Sequence, residues 1–165
     1  MSGSVGIVLG ALFVVAVSLA ATGDLDAPSR EDAPVLVVVT HASVQRAGRL
    51  RFALASFRLV GAMRGTPGLV AQHQGIRRLG AEVWTVTAWT TDDAMRSFVR
   101  SGPHAEAMRE AAFAIVGMDA WHLECPLAAM PSRFADVERL RAGELPEGCR
   151  RREAPARAPA GASPP

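Results

Sequence analysis

His104 stands directly after Gly102-Pro103, fifteen residues beyond Trp89, where a helix is predicted to begin. A helix N-terminus disfavours a cation, so a neutral imidazole is expected there. Such an imidazole can take a proton from an acidic substrate or ligate iron. His104 is therefore the first candidate catalytic residue. His41, just past a Val-rich run, is the second, as a polar partner facing the same site. Trp89 offers a planar wall on which a flat apolar molecule could stack. Thr85 and Thr87 share its strand face, and Phe98 and Met108 lie on the helical stretches that follow. These five form the candidate substrate-binding set. Each has a plainer reading. A strand Trp is more often core than ligand wall, and a lone His often only braces its neighbours. His41 could simply end its strand at the surface.

Other chemistries find no support. His73, His122 and Glu124 sit on separate elements from His41 and His104, so no metal site is predicted. Cys125 and Cys149 are too few and too far apart for one. Gly61 to Gly68 holds turn residues but no following Lys-Ser/Thr, so no phosphate loop is expected. No Ser sits in a nucleophile elbow. No cofactor follows from the residues.

The elements that must position these side chains are legible in outline. Val83 to Trp89 is β-branched or aromatic at nearly every position and reads as a strand. Alternation puts Trp84, Val86 and Ala88 on an apolar face predicted to pack on helices. Val83, Thr85, Thr87 and Trp89 make the mixed face, suited to a pocket wall. Thr90 and Asp93 resemble a capping box for a helix over Asp92–Arg100. Ser101-Gly102-Pro103 breaks it, and Pro103 suits the first position of the next helix, to about Phe113. Upstream, Val35–Val39 reads as a buried strand and Arg46–Met63 as a helix. Its inward face is predicted from Leu50, Ala53, Leu54, Phe57, Val60 and Gly61. Leu69–Ile76 pairs with Val83–Trp89 through a turn at Arg77–Gly80. Val116–Cys125 is the last strand, and Pro131–Arg141 a short surface helix. Strand, helix, strand, strand, helix, strand is the split plan of a ferredoxin-like α+β domain with a four-stranded antiparallel sheet.

Residues 5–21 carry no charge, a length between a signal-peptide core and a membrane span. Acids outnumber Arg in the stretch after it, which weakly places the domain outside. The expected organisation is a hydrophobic anchor or signal over 1–22 and a linker over 23–34. The domain covers 35–128, a surface helix 129–145 and a disordered Arg/Pro/Ala tail 146–165. Anchoring or export is expected, and a cytoplasmic location follows only if the apolar run reflects a wrong start. All basic residues are Arg. From Arg150 onward the balance is +3, which leaves residues 1–149 at −1 of the total +2. The folded part thus lacks the basic stripe that nucleic acid needs, and no nucleic-acid partner is expected. An exported domain could pair its cysteines. Because Cys149 falls in the tail, no structural bridge is expected.

Trp89-x8-Phe98-x5-His104, set in this element order, resembles the dimeric α+β barrel superfamily, which includes antibiotic-biosynthesis and haem-degrading monooxygenases. The likeness is nearest to an uncharacterised branch with a W-…-F-…-H segment. Val39-Thr40-His41, Gly68-Leu69-Val70 and Pro131 to Leu140 match its other features, and the resemblance covers residues 35 to about 145. It implies a homodimer with sheets face to face, and a pocket between each sheet and its helices. The dimer also follows from an expected sheet face, carrying Trp89, that must be covered. It further implies O₂-dependent oxidation of an aromatic compound, without cofactor or with haem. Haem-binding relatives use a strand Asn and a helix His. Here His41 and Met108 stand at those positions, with His104 one turn before Met108, which argues against haem.

Two functions follow. One is a cofactor-independent or haem-assisted monooxygenase acting on a small apolar or aromatic molecule. The other is a non-catalytic small-molecule-binding or dimerisation module tethered at a membrane.

Overall fold

The central strand is the most apolar one. In the computed structural model, which describes residues 33–152, strand β1 (Pro34–Val44) is flanked on both edges. It pairs antiparallel with β3 (Glu82–Trp89) on one side and with β4 (Ile115–Pro126) on the other. Val37 and Val39 are fully buried, as a Val-rich run enclosed on both faces should be. The strand runs on past Val39 through Thr40 and His41 to Val44. Strand β2 (Leu69–Arg77) pairs with the far edge of β3. Helix α1 (Arg49–Met63) joins β1 to β2, while α2 (Asp92–Val99) and α3 (Gly102–Ala111) join β3 to β4. This is the ferredoxin-like βαββαβ plan.

The sheet has five strands rather than four, in the order β2-β3-β1-β4-β5. The added β5 (Arg150–Arg151) pairs with Leu123 and Glu124 of β4. It lies in the stretch predicted to be a loose tail. Cys149, just before it, is bonded to Cys125, contrary to the expectation of two separate thiols. Residues 146–152 are thereby tied to the sheet. The expected anchor over 1–22, the linker to residue 32 and the tail from 153 onward lie outside the described residues. No helix among the described residues is long and apolar enough to cross a membrane.

The two faces of the sheet are covered differently from expectation. Trp84, Val86 and Ala88 join Val35, Val37, Val39, Leu123 and Cys125 in a core closed by Met130 and by α4 (Phe134–Arg141). That helix, expected to be a polar surface element, buries Val137 and Leu140 almost completely. Each should contribute about 1.5–3 kcal/mol by burial. The mixed face, with Thr85, Thr87 and Trp89, lies under α1, α2 and α3. Trp89 is only 1 % exposed. Both faces carry helices, but β4 stays uncovered along Val116 to Ala120, where Val116 and Met118 are exposed.

Helix α1 also turns the other way. It buries Phe52, Ala55 and Met63 and leaves Leu50 at 74 % exposure, with Leu54 and Phe57 exposed along the same stripe. The cap of α2 is Thr91, whose hydroxyl accepts from the Ala94 amide at 3.1 Å, one residue later than predicted. The β2–β3 turn holds Arg78, Leu79 and Gly80 all at positive φ.

One close approach fixes how β2 meets β3. Gly75 sits opposite Trp84 in register, and a Cβ there would fall inside the indole. Gly75→Ala is expected to destabilise the fold by about 1–3 kcal/mol, as overpacking does, read as a lower urea midpoint with unchanged slope.

Candidate functional site

Between the mixed sheet face and helices α1–α3 lies a cavity of about 270 Å³. Its floor is the sheet. Cross-strand pairing sets Thr40 of β1 opposite Thr85 of β3, and Thr85 opposite Gln74 of β2. One rung thus carries a hydroxyl, a hydroxyl and an amide. The Thr40 and Thr85 hydroxyl oxygens lie 2.5 Å apart. Thr87, on the next rung, accepts the Trp89 indole N–H at 2.9 Å, and its own O–H points to the Val38 carbonyl at 3.5 Å. The roof is apolar, with Phe52 and Leu59 from α1, Met95 and Phe98 from α2, and Met108 from α3.

His104 enters from the start of α3. The Ser101-Gly102-Pro103 break ends α2 and restarts the chain at an angle, with Pro103 in the first turn, where its missing N–H is harmless. The imidazole stands edge-on to Phe98 at 5.5 Å between centroids, and Phe98 in turn lies 5.5 Å from the Trp89 ring. Indole, phenyl and imidazole form a continuous wall. All of the expected substrate-binding residues, Trp89, Thr85, Thr87, Phe98 and Met108, border the cavity with His104.

His41 does not. It is on the opposite sheet face, 2 % exposed, edge-on to Phe134 of α4. Its Nδ1 lies 3.8 Å from an Asp119 carboxylate oxygen, which Arg141 also approaches at 3.4 Å. The reason is strand parity. His41 alternates with Val37 and Val39 on the α4 side, whereas Val38 and Thr40 face the cavity. The same parity could have identified Thr40, which the sequence reading passed over along with Gln74 and Ser56. His73 pairs with Val86 across β2 and β3, outside the cavity lining.

Burial pushes the His104 imidazole below its ordinary value, partly offset by its hydrogen bond to the Val99 carbonyl. The neutral state anticipated from the helix dipole therefore has desolvation as its main cause. Among the described residues, His104 is the sole ionisable side chain in the cavity lining. Burial also lowers His122, with Asp92 opposing and Arg152 reinforcing the shift. For both groups the folded protein resists protonation more than the unfolded chain. The stability tied to their neutral forms is present above about pH 6.5 and is lost as pH falls through the depressed folded values. His104→Gln should flatten part of that acid-side loss in urea titrations between about pH 7 and 5, His122 accounting for the remainder.

Haem, the cofactor the resemblance brings into view, is not matched by these residues. The cavity lies at or below the low end of small-molecule sites, about 300–1,000 Å³, and its lining offers no Arg or Lys for carboxylate side arms. Among the described residues no three His, Cys, Asp or Glu converge as a metal site.

The fold has solved counterparts. A provisionally assigned monooxygenase from Lactobacillus acidophilus NCFM superposes with a TM-score of 0.51 at 15 % identity. That match covers 56 % of this chain and 44 % of the other. A provisionally assigned antibiotic biosynthesis monooxygenase from Nitrosomonas europaea gives 0.50 at 12 % identity, over 53 % of this chain and 86 % of the other. A further antibiotic biosynthesis monooxygenase gives 0.50 at 10 % identity, over 53 % and 94 %. The chain thus spans less than half the length of the first of these. At such identities the likeness establishes the fold alone, a ferredoxin-like α+β domain. No protein-family model matches the chain, and no curated protein matches it.

Proposed function

We propose that the domain binds one small, largely apolar or aromatic molecule in the sheet–helix cavity and oxidises it with O₂. His104 takes a proton from an acidic CH₂ of the substrate. The electron-rich carbon then reduces O₂, one oxygen atom remaining as a carbonyl and the other leaving as water. The observation that carries this reading is the His104 imidazole, its pKa lowered by burial, set at the end of an aromatic wall inside an apolar cavity. A lowered pKa leaves the imidazole free to accept a proton at neutral pH. Oxygen consumption with 2-tetralone, which has an acidic benzylic CH₂, tests it. His104→Gln should lower the rate about 10²-fold or more while leaving binding nearly unchanged.

One observation favours a second reading, a non-catalytic binding module. The cavity offers a single ionisable group and no second acid or base. Binding of 2-tetralone without oxygen uptake would select it.

The N-terminal apolar run is proposed to anchor or export this domain. The Cys125–Cys149 bond supports an oxidising compartment, since such bridges seldom persist in the cytosol. Fractionating cells that make the full chain or a chain starting at Asp32 checks this. The full chain should sediment with membranes or leave the cell, and equal cytosolic solubility of both would end the proposal.

A further inference from the structure

We propose that Thr40 and Thr85 form a single hydrogen-bonding anchor in the cavity, and that the molecule held there presents to it an oxygen acceptor, a carbonyl or ether. This rests on the cavity being a binding site, as proposed above, and adds the chemistry of the ligand's polar end.

The argument is a donor count. Two threonine hydroxyls carry two hydrogens. At 2.5 Å the two oxygens share one of them. The other hydrogen has no acceptor among the described residues. Thr87 differs, because its hydroxyl is engaged on both sides by Trp89 and Val38. The cavity floor therefore holds one satisfied hydroxyl and one pair with a donor to spare. Ser56 and His104 also line the cavity and carry acceptors, but the pair's one side-chain hydrogen bond is between its own two hydroxyls. Gln74, directly across from Thr85, also lines the cavity and carries amide N–H donors of its own. The pair is part-buried, so a molecule that fills the cavity and shuts out water leaves this donor costly unless it accepts from it. A ligand oxygen does so and fixes the orientation, oxygen to the sheet and hydrocarbon to the helices. A ligand whose only polar group is a donor can meet a hydroxyl lone pair but leaves the spare hydrogen unclaimed, so it gains less than an acceptor does.

Three bicyclic probes of similar size separate these cases: indane, with no polar atom, 1-indanone, an acceptor, and indole, a donor. Their affinities for the full chain are measured by calorimetry. 1-Indanone should bind about tenfold more tightly than indane, the upper range for one net hydrogen bond, and indole should bind less tightly than 1-indanone. The decisive variant replaces both hydroxyls, Thr40→Val with Thr85→Val, so that no orphan partner remains and the shape is kept. Its circular dichroism should equal that of the parent, and the 1-indanone preference should fall to within about twofold of indane. Equal binding of indane and 1-indanone by the parent chain, a preference for indole, or an undiminished preference in the double variant would each overturn the anchor while leaving the cavity reading intact. If none of the three probes binds, the cavity reading fails and the anchor with it.

Discussion

Opening the Cys125–Cys149 bond is expected to lower stability by about 3–4 kcal/mol and to drive association beyond the parent's own state. The bond closes a segment with a sequence separation of 24, and the chain-entropy account gives that magnitude for a loop of this size. The enclosed segment is a cap. It carries Met130, Val137 and Leu140, all buried against the sheet face of Val37, Val39, Trp84 and Val86. Its other attachments are slight. Arg77–Glu138 and Arg141–Asp119 are about half-exposed ion pairs, which contribute little in water. The two-residue β5 adds a short ladder. Without the covalent tie the cap should open often enough to bare a large apolar sheet face, which a second copy would cover. Cys125→Ala with Cys149→Ala, compared with the parent by urea titration and light scattering, checks both halves. The parent chain from Ala33 onward sets the reference mass at micromolar concentration. If the double variant is as stable as the parent and no more associated, the cap is held by its apolar side chains alone.

That cap is also where sequence reasoning fell short, and the reasons are physical. The order of strands and helices through β4 was legible because each element carries its own signal. Examples are the Val-rich run of β1, the acids in the first turn of α2, and the break at Gly102-Pro103. What an element packs against is not a local property. Helix α4 reads as polar, yet two apolar residues at i and i+3, Val137 and Leu140, suffice to close a face. Helix α1 is apolar nearly all round, so Leu50–Leu54–Phe57 and Phe52–Ala55–Met63 are equally good helical stripes. Only the sheet beneath selects the second. A two-residue strand such as β5 is too short for any periodic signal, and a disulfide depends on the fold that brings its cysteines together. For the site, the parity of β3 placed Thr85, Thr87 and Trp89 together correctly, whereas parity was not applied across β1, which would have exchanged His41 for Thr40.

The same packing raises what is expected of Trp89→Ala. Were the indole only a stacking wall for a ligand, its loss would cost about 0.5–1.5 kcal/mol beyond burial, and only in the bound state. Instead it is 1 % exposed and packed with Leu36, Met63, Met95 and Phe98. Truncation should therefore lower the stability of the free protein by about 3–5 kcal/mol, with part of the loss set by how far the site can collapse. It also removes the N–H that Thr87 accepts, although that hydroxyl keeps the Val38 carbonyl. Trp89→Phe retains most of the ring and should cost less, about 1–2 kcal/mol, combining a lost hydrogen bond with a smaller void. The two variants also separate wall from frame. If Trp89 does no more than frame the cavity, Trp89→Phe leaves 1-indanone binding within about threefold, whereas a direct stacking contact makes affinity follow ring size. Urea titration of the free protein decides the larger matter first. A loss below about 1 kcal/mol for Trp89→Ala would mean that the indole is not held between α2 and the end of α1, and the aromatic wall joining it to His104 would then have to be abandoned.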